Sequence, residues 1–151
     1  MSGDPSIRIR PAGPEDMPAL LALSRAWAAE GITYGYSPTD REAFAGYRCW
    51  VAEADGEVVG YAGGEPDTAR RDIEIQTAGD RYFELEELYV RADFRSQGVG
   101  RLLLGRVEKD AREDGLAQLM LNAANRDHAP LLDFYLREGM APHSFRLFKT
   151  L

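Results

Sequence analysis

The stretch "RSQGVG" (95–100) sets two glycines between a strand-like run and a helix-like run, with Arg95 ahead of them and Arg101 just behind. A turn alone needs one glycine. Gly98 and Gly100 together remove the side chains that would hold a pyrophosphate away from the first amides of the helix, which have no partner inside it. Arg95 and Arg101 add positive charge at that end. Two phosphate loops of similar composition do not fit. A G-x-G-x-x-G fingerprint starting at Gly98 needs glycine where Leu103 stands, and a P-loop ending at Gly105 needs Lys-Ser or Lys-Thr where Arg106-Val107 stand. Ahead of the turn lies the carboxylate pair Glu86 and Glu87; beyond it, Tyr135 carries a phenolic donor. Cys49 begins the strand-like "CWVAE" without matched His and Asp partners and reads as a core cysteine. His128 and His143 lie in different segments with no metal-ligand spacing, so no metal is expected.

Alternating strand and helix patterns must position these groups. "IRIRPA" (7–12) alternates as a half-buried strand, and 13–31 carries apolar residues at helical spacing, with Pro14, Glu15 and Asp16 suited to a first turn and Gly31 to a C-terminal cap. Residues 49–64 form two apolar runs around Asp55-Gly56, a hairpin signal. The polar stretch 65–80 reads as an irregular or extended connection to the strand "YFELEELYV" (82–90). Then follow a helix over about 98–114, a strand over 116–123, a helix over about 128–138 and a last strand over 144–151. In "FELEELYV" strict alternation puts Leu85 and Leu88 on opposite faces, yet Leu88 and Val90 ask for the face of Leu85. One extra residue near Glu86 or Glu87, a β-bulge, restores the phase; a fully buried strand would leave its three glutamates to be placed. Early hairpins and late strand-helix-strand units imply a mixed sheet with helices on both faces.

A length of 151 residues suits one domain with a single core. The net charge of −7 argues against a nucleic-acid partner and leaves room for a cationic one. A single cysteine forms no internal disulfide, the start "MSGDPSIRIRP" lacks the apolar core of a signal peptide, and "ALLALSRAWAA" is interrupted and too short to cross a bilayer. The expectation is a cytoplasmic protein without membrane partners.

The sequence resembles the GNAT superfamily of acetyl-CoA-dependent N-acetyltransferases. "RSQGVG" meets its Arg/Gln-x-x-Gly-x-Gly/Ala signature, "NRDHAPLLDFYLREGM" is similar to its Asn-turn and tyrosine segment, and the earlier strand, helix and hairpin fall in the family's order. The resemblance implies one N-acetyltransferase domain over 1–151, of mixed α/β class. Its mixed, mostly antiparallel sheet would have a splayed parallel strand pair and about four flanking helices. It also implies acetyl-CoA as co-substrate, the pantetheine arm held along Leu88, Tyr89 and Val90, and the pyrophosphate held by Arg95, Ser96, Gln97, Gly98, Val99, Gly100 and Arg101. Tyr135 matches the family's general acid. Glu86 is the favoured base for deprotonating an amine, with Glu87 the alternate. The family's asparagine position falls on His128 when counted back from Tyr135, while Asn125 lies three residues earlier, and either would contact pantetheine. Trp27, Tyr34 and Tyr36 lie where the family places its acceptor pocket. The implied reaction is acetyl transfer to a primary amine, of a small cationic molecule such as a polyamine, diamine or amino-acid derivative. A protein N-terminus or lysine is the alternative acceptor, and a non-catalytic acyl-CoA sensor the alternative class. A homodimer is compatible with either.

Overall fold

The computed structural model of the protein describes residues 6–151. Five strands, β1 (Ile7–Pro11), β2 (Arg48–Ala54), β3 (Glu57–Thr68), β4 (Arg81–Val90) and β5 (Gln118–Leu121), form one sheet in that order. Neighbours are antiparallel except β4 and β5, which are parallel. Two helices, α1 (Met17–Glu30) and α2 (Arg41–Gly46), cover one face, where Leu20, Leu23 and Phe44 meet Val51, Tyr61 and Tyr89. On the other face α3 (Val99–Glu113) buries Val99, Leu103, Leu104 and Val107 against Trp50, Val59, Phe83 and Leu85. Phe134 and Tyr135 of α4 (His128–Arg137) pack against the same cluster. The expected mixed sheet, parallel pair and flanking helices are all present.

Local chemistry accounts for most element boundaries. The hairpin between β2 and β3 turns through Asp55 (φ 50°) and Gly56 (φ 83°), the two consecutive positive-φ residues that a type I′ turn requires. One element, α2, falls outside the sequence reading because six residues carry no periodicity. Its signal was Asp40, whose carboxylate accepts from the Ala43 amide at 2.9 Å as an N-cap.

Two departures from regular pairing shape the site. Gly63 lies opposite Glu87 and Gly64 opposite Leu85, so Glu86 has no partner and forms a bulge. The extra residue puts Leu88 and Val90 on the α3 side with Phe83 and Leu85, and Glu87 and Tyr89 on the α1 side. Pairing of β4 with β5 then stops at Leu85 and Leu121, while β4 runs on to Val90 and the chain after β5 bends towards Thr33, which bridges Asn125. The two strands splay.

The strand expected over 144–151 is not formed. These residues have no ladder partner, and Phe145, Leu147 and Phe148 are exposed. Alternating pattern alone does not make a strand; a neighbouring edge must satisfy its backbone, and none lies against this segment. Among the described residues no helix is long and apolar enough to cross a membrane.

Candidate active site

The splay opens a cleft of about 1360 Å³ whose walls come from β4, α3, α4, the end of α1 and the chain beyond β5. Along β4 the Arg91 amide donates to the Val59 carbonyl at 2.8 Å, and antiparallel alternation therefore turns the amides of Leu88 and Val90 away from β3 and into the cleft. No strand opposes them there, because β5 has ended. At the mouth, Gly98 adopts φ 82° to start α3, a conformation that glycine takes without strain. The first amide to find a carbonyl in this helix is that of Leu102, on Gly98 at 3.0 Å, so the amides of Val99, Gly100 and Arg101 point outward unpaired by the helix. Ser96, Gly98, Val99, Gly100 and Arg101 all border the cleft.

Arg95 also borders the cleft, and its charge is shared with a carboxylate. Its guanidinium faces inward as a fork on Glu30, with contacts of 2.8 and 2.6 Å, and its Nε donates to the Val90 carbonyl at 2.9 Å. Glu30 also accepts from the Tyr89 hydroxyl at 2.7 Å. Burial opposes ionisation of Glu30, but Arg95 and Tyr89 outweigh it and hold the carboxyl below its ordinary range. Arg95 thus ties the turn to the end of α1, with Nε and both terminal nitrogens each making one hydrogen bond. Gln97 does not border the cleft; its amide donates to the Asp93 carbonyl. Arg101 does border it, with a largely exposed side chain near Glu138.

An aromatic and acidic wall closes the opposite end. Trp27 stacks on Tyr36 with centroids 4.1 Å apart and on Tyr89 at 5.4 Å. Glu87 is buried beneath them. It accepts from Tyr61 at 2.5 Å and from the Thr39 hydroxyl, and Tyr36 lies at 3.5 Å. Ser24 bonds the Tyr36 hydroxyl at 2.7 Å and the Thr39 amide at 2.6 Å, so the segment between α1 and α2 is stitched to the sheet through this group. Tyr61, Thr39 and Ser24 were missed in the sequence; Tyr61 sits mid-strand in an apolar run, and a hydroxyl buried there needs a partner. Glu86, by contrast, projects from the bulge into the cleft without a cation on it among the described residues. Burial, then Glu65 and Glu87, push its carboxyl above the ordinary value. Glu84 is raised in the same way, by burial first and then by Glu86 and Asp67.

Tyr135 borders the cleft, with burial pushing its phenol up to about 12. Asn125 is there too, its side-chain oxygen accepting from Thr33, whose hydroxyl also takes the Trp27 indole N–H at 2.9 Å. His128 is exposed at the start of α4 and does not border the cleft, and two residues separate it from Asn125, which does. Tyr34 is likewise outside, 44% exposed, with Arg126 over its ring at 4.4 Å. Cys49 is buried and its thiol is pushed up to about 12 by burial and then by Glu87, which suits packing and not nucleophilic attack. Among the described residues no group of three or more His, Cys, Asp or Glu is arranged to hold a metal.

Comparison with known proteins agrees with this geometry. The model of the acetyltransferase (GNAT) family matches residues 19–140. An uncharacterized N-acetyltransferase in the pepI 3′ region of Lactobacillus delbrueckii subsp. lactis is 25% identical, covering 94% of this chain and 88% of its own. An aminoalkylphosphonate N-acetyltransferase of Salmonella typhimurium is 40% identical over 70 residues, 45% of this chain and 44% of that protein. Among solved structures, an aminoglycoside N-acetyltransferase in complex with CoA superposes with a TM-score of 0.74 at 18% identity, covering 100% of this chain and 98% of that one. An acetyltransferase from Clostridium acetobutylicum with acetyl-CoA gives 0.70 at 18% identity, covering 96% of each chain. At such identity the solved structures attest the fold, and the family match supplies the activity: the chain belongs to the GNAT family and is an acetyl-CoA-dependent N-acetyltransferase.

Proposed function

We propose that the protein acetylates a primary amine of a small cationic molecule. The observation that carries this reading is the set of carboxylates without counter-ions around the bulge. Glu65 and Glu84 are direct cross-strand partners, Glu86 lies beside them, and none is in an ion pair among the described residues. Like charges placed opposite each other destabilise a sheet, and a bound ammonium would relieve them. Tyr36, stacked on Trp27 with its hydroxyl 3.5 Å from Glu87, adds an aromatic ring to this end of the cleft, a surface on which a cation is favoured. Two of the similar proteins are named for small amines, an aminoalkylphosphonate and an aminoglycoside, which is consistent with such an acceptor.

Acetyl-CoA, when bound, supplies the thioester. The cleft fits it: the free amides of Leu88 and Val90 suit the pantetheine arm, and the outward amides at 99–101, with Gly98 and Gly100 contributing no side chain, suit a pyrophosphate. Asn125 borders the same cleft. In this reading Glu86 takes a proton from the acceptor ammonium, directly or through water, freeing its lone pair. Glu87, already shared among hydroxyls, positions Tyr36 and the acceptor loop. Tyr135 offers its hydroxyl to the sulfur as the thiolate leaves.

The test is thiol release from acetyl-CoA against polyamines, diamines, amino acids, aminoglycosides, aminoalkylphosphonates and peptides, with the parent and Glu86→Gln. Turnover is expected with a small cationic amine. A base must be ionised to act, so kcat/KM in the parent should fall as pH drops through the raised Glu86 value. Glu86→Gln should lack that limb, lose roughly 10²-fold at neutral pH, and recover in part as pH rises and free amine accumulates. Turnover confined to peptides would assign a protein acceptor, and an identical pH profile for Glu86→Gln would remove Glu86 from the chemistry.

A further inference from the structure

Thr33 and Asn125 both border the cleft and lie directly opposite each other, in a single antiparallel bridge between the chain after α1 and the chain after β5. The Tyr34 amide donates to the Ala124 carbonyl and the Arg126 amide to the Ile32 carbonyl, both at 2.9 Å. These bonds flank the pair and do not join it. In that arrangement opposed residues approach most closely and their side chains meet on one face. Three side chains are linked there in series: Trp27 Nε1 donates to Thr33 Oγ1 at 2.9 Å, and the Thr33 hydroxyl donates to Asn125 Oδ1 at 3.1 Å.

The first member fixes the direction of the series. An indole nitrogen can only donate, so the Thr33 oxygen accepts from it and keeps its own proton for Asn125, which meets a donor with its oxygen. Turned the other way, the amide would present its nitrogen to Thr33 and leave that proton without an acceptor. An asparagine amide is nearly symmetric in shape, and either end of it could face a ligand. Thr33 removes that freedom. With Oδ1 taken, the N–H donors of Nδ2 are what Asn125 has left for the cleft that it borders. We propose that Thr33 is a positioning residue for the co-substrate: its hydroxyl, held by Trp27, sets the Asn125 amide so that Nδ2 donates to an amide carbonyl of the pantetheine arm. The inference rests on the reading that the arm lies in this cleft along the end of β4. The same hydroxyl holds the indole whose ring stacks on Tyr36 and Tyr89, so one group on the chain after α1 serves the acceptor wall and the cofactor arm together.

Calorimetric binding of CoA and of adenosine bisphosphate, the nucleotide end of CoA without its arm, tests this on Thr33→Val, Thr33→Ser, Asn125→Ala and Asn125→Asp. Valine keeps the branched shape of threonine, and the flanking main-chain bonds do not involve the side chain, so the bridge should persist. Thr33→Val lets the Asn125 amide turn and should weaken CoA by roughly 3- to 10-fold, the scale of one hydrogen bond, with adenosine bisphosphate unchanged. Thr33→Ser keeps the hydroxyl and should bind CoA as the parent does. Asn125→Ala should weaken CoA by a similar factor, and Asn125→Asp at least as much, because a carboxylate accepts from Thr33 but has no proton for a carbonyl. Parent-like CoA affinity in Thr33→Val beside a loss in Asn125→Ala would overturn the positioning role and leave the arm in the cleft. Parent-like affinity in both Asn125 variants would take the arm away from this wall, and the proposal with it. Equal losses for CoA and adenosine bisphosphate, or a Thr33→Ser as weak as Thr33→Val, would make Thr33 a structural residue and overturn the proposal as well.

Discussion

Burial holds the Tyr135 phenol near 12, so at neutral pH the group is a protonated donor facing the cleft. If its hydroxyl meets the sulfur only as the bond breaks, Tyr135→Phe removes one polar atom and leaves the ring packed beside Phe134. The expected outcome is a kcat lower by roughly 10²-fold with KM for acetyl-CoA almost unchanged, measured under single turnover so that product release does not mask the chemical step. Equal single-turnover rates would make Tyr135 a packing residue. The adjacent glutamates show how far residue type alone reaches. Both were legible as candidate bases, but the hydroxyls that occupy Glu87 come from Thr39 and Tyr61, 48 and 26 positions away in the chain. No local pattern encodes that meeting; both glutamates border the cleft, and of the two Glu87 is the one that carries hydroxyl partners.

At the scale of elements, the bulge in β4 depends on what lies across from it. A Cβ on Gly64 would run into the Glu84 carbonyl, so the close approach of β3 and β4 that accommodates the unpaired Glu86 requires glycine there. Gly64→Ala should destabilise the fold by about 1–3 kcal/mol in denaturant unfolding and lower kcat/KM beyond what stability explains, because Glu86 moves with the bulge. Gly46→Ala, where a Cβ meets open space, is the matched control and should change neither. The phase break in "FELEELYV" made the bulge legible, since burial of Leu85, Leu88 and Val90 on one side is a local demand of the sequence. The opposite holds for 144–151, where the alternation is present and the strand is absent: an edge must come from elsewhere in the fold or from another chain.

Across the whole molecule, the cofactor end and the acceptor end of the cleft are joined by one run of contacts. It passes from Arg95 in the turn to Glu30 and Tyr89, and through Trp27 to Tyr36 above Glu87. The Arg95–Glu30 pair is more than half shielded and bidentate, which sets it apart from an exposed ion pair. In a cycle of Glu30→Gln, Arg95→Gln and the double variant, the two sites should be coupled by roughly 0.5–3 kcal/mol in stability, and each single change should raise KM for acetyl-CoA and for the amine together. Additive effects, with only the acetyl-CoA KM raised by Arg95→Gln, would instead return Arg95 to the phosphate.

What the sequence determined by itself were features written in short-range pattern. The hairpin at Asp55-Gly56, the glycine turn before α3, the bulge near Glu86 and the family signatures around Arg95–Gly100 and Tyr135 all depend on residues within a few positions of one another, whose backbone and burial demands are local. Tertiary structure alone decided how those residues are spent. Arg95 looked free for an anion and is engaged by Glu30, 65 positions away. His128 and Tyr34 were near the site in sequence and lie outside its wall. The tail was patterned as a strand and found no edge. In each case the deciding partner is distant in the chain, and a side chain's type says what it can bond to without saying which group the fold will bring within reach.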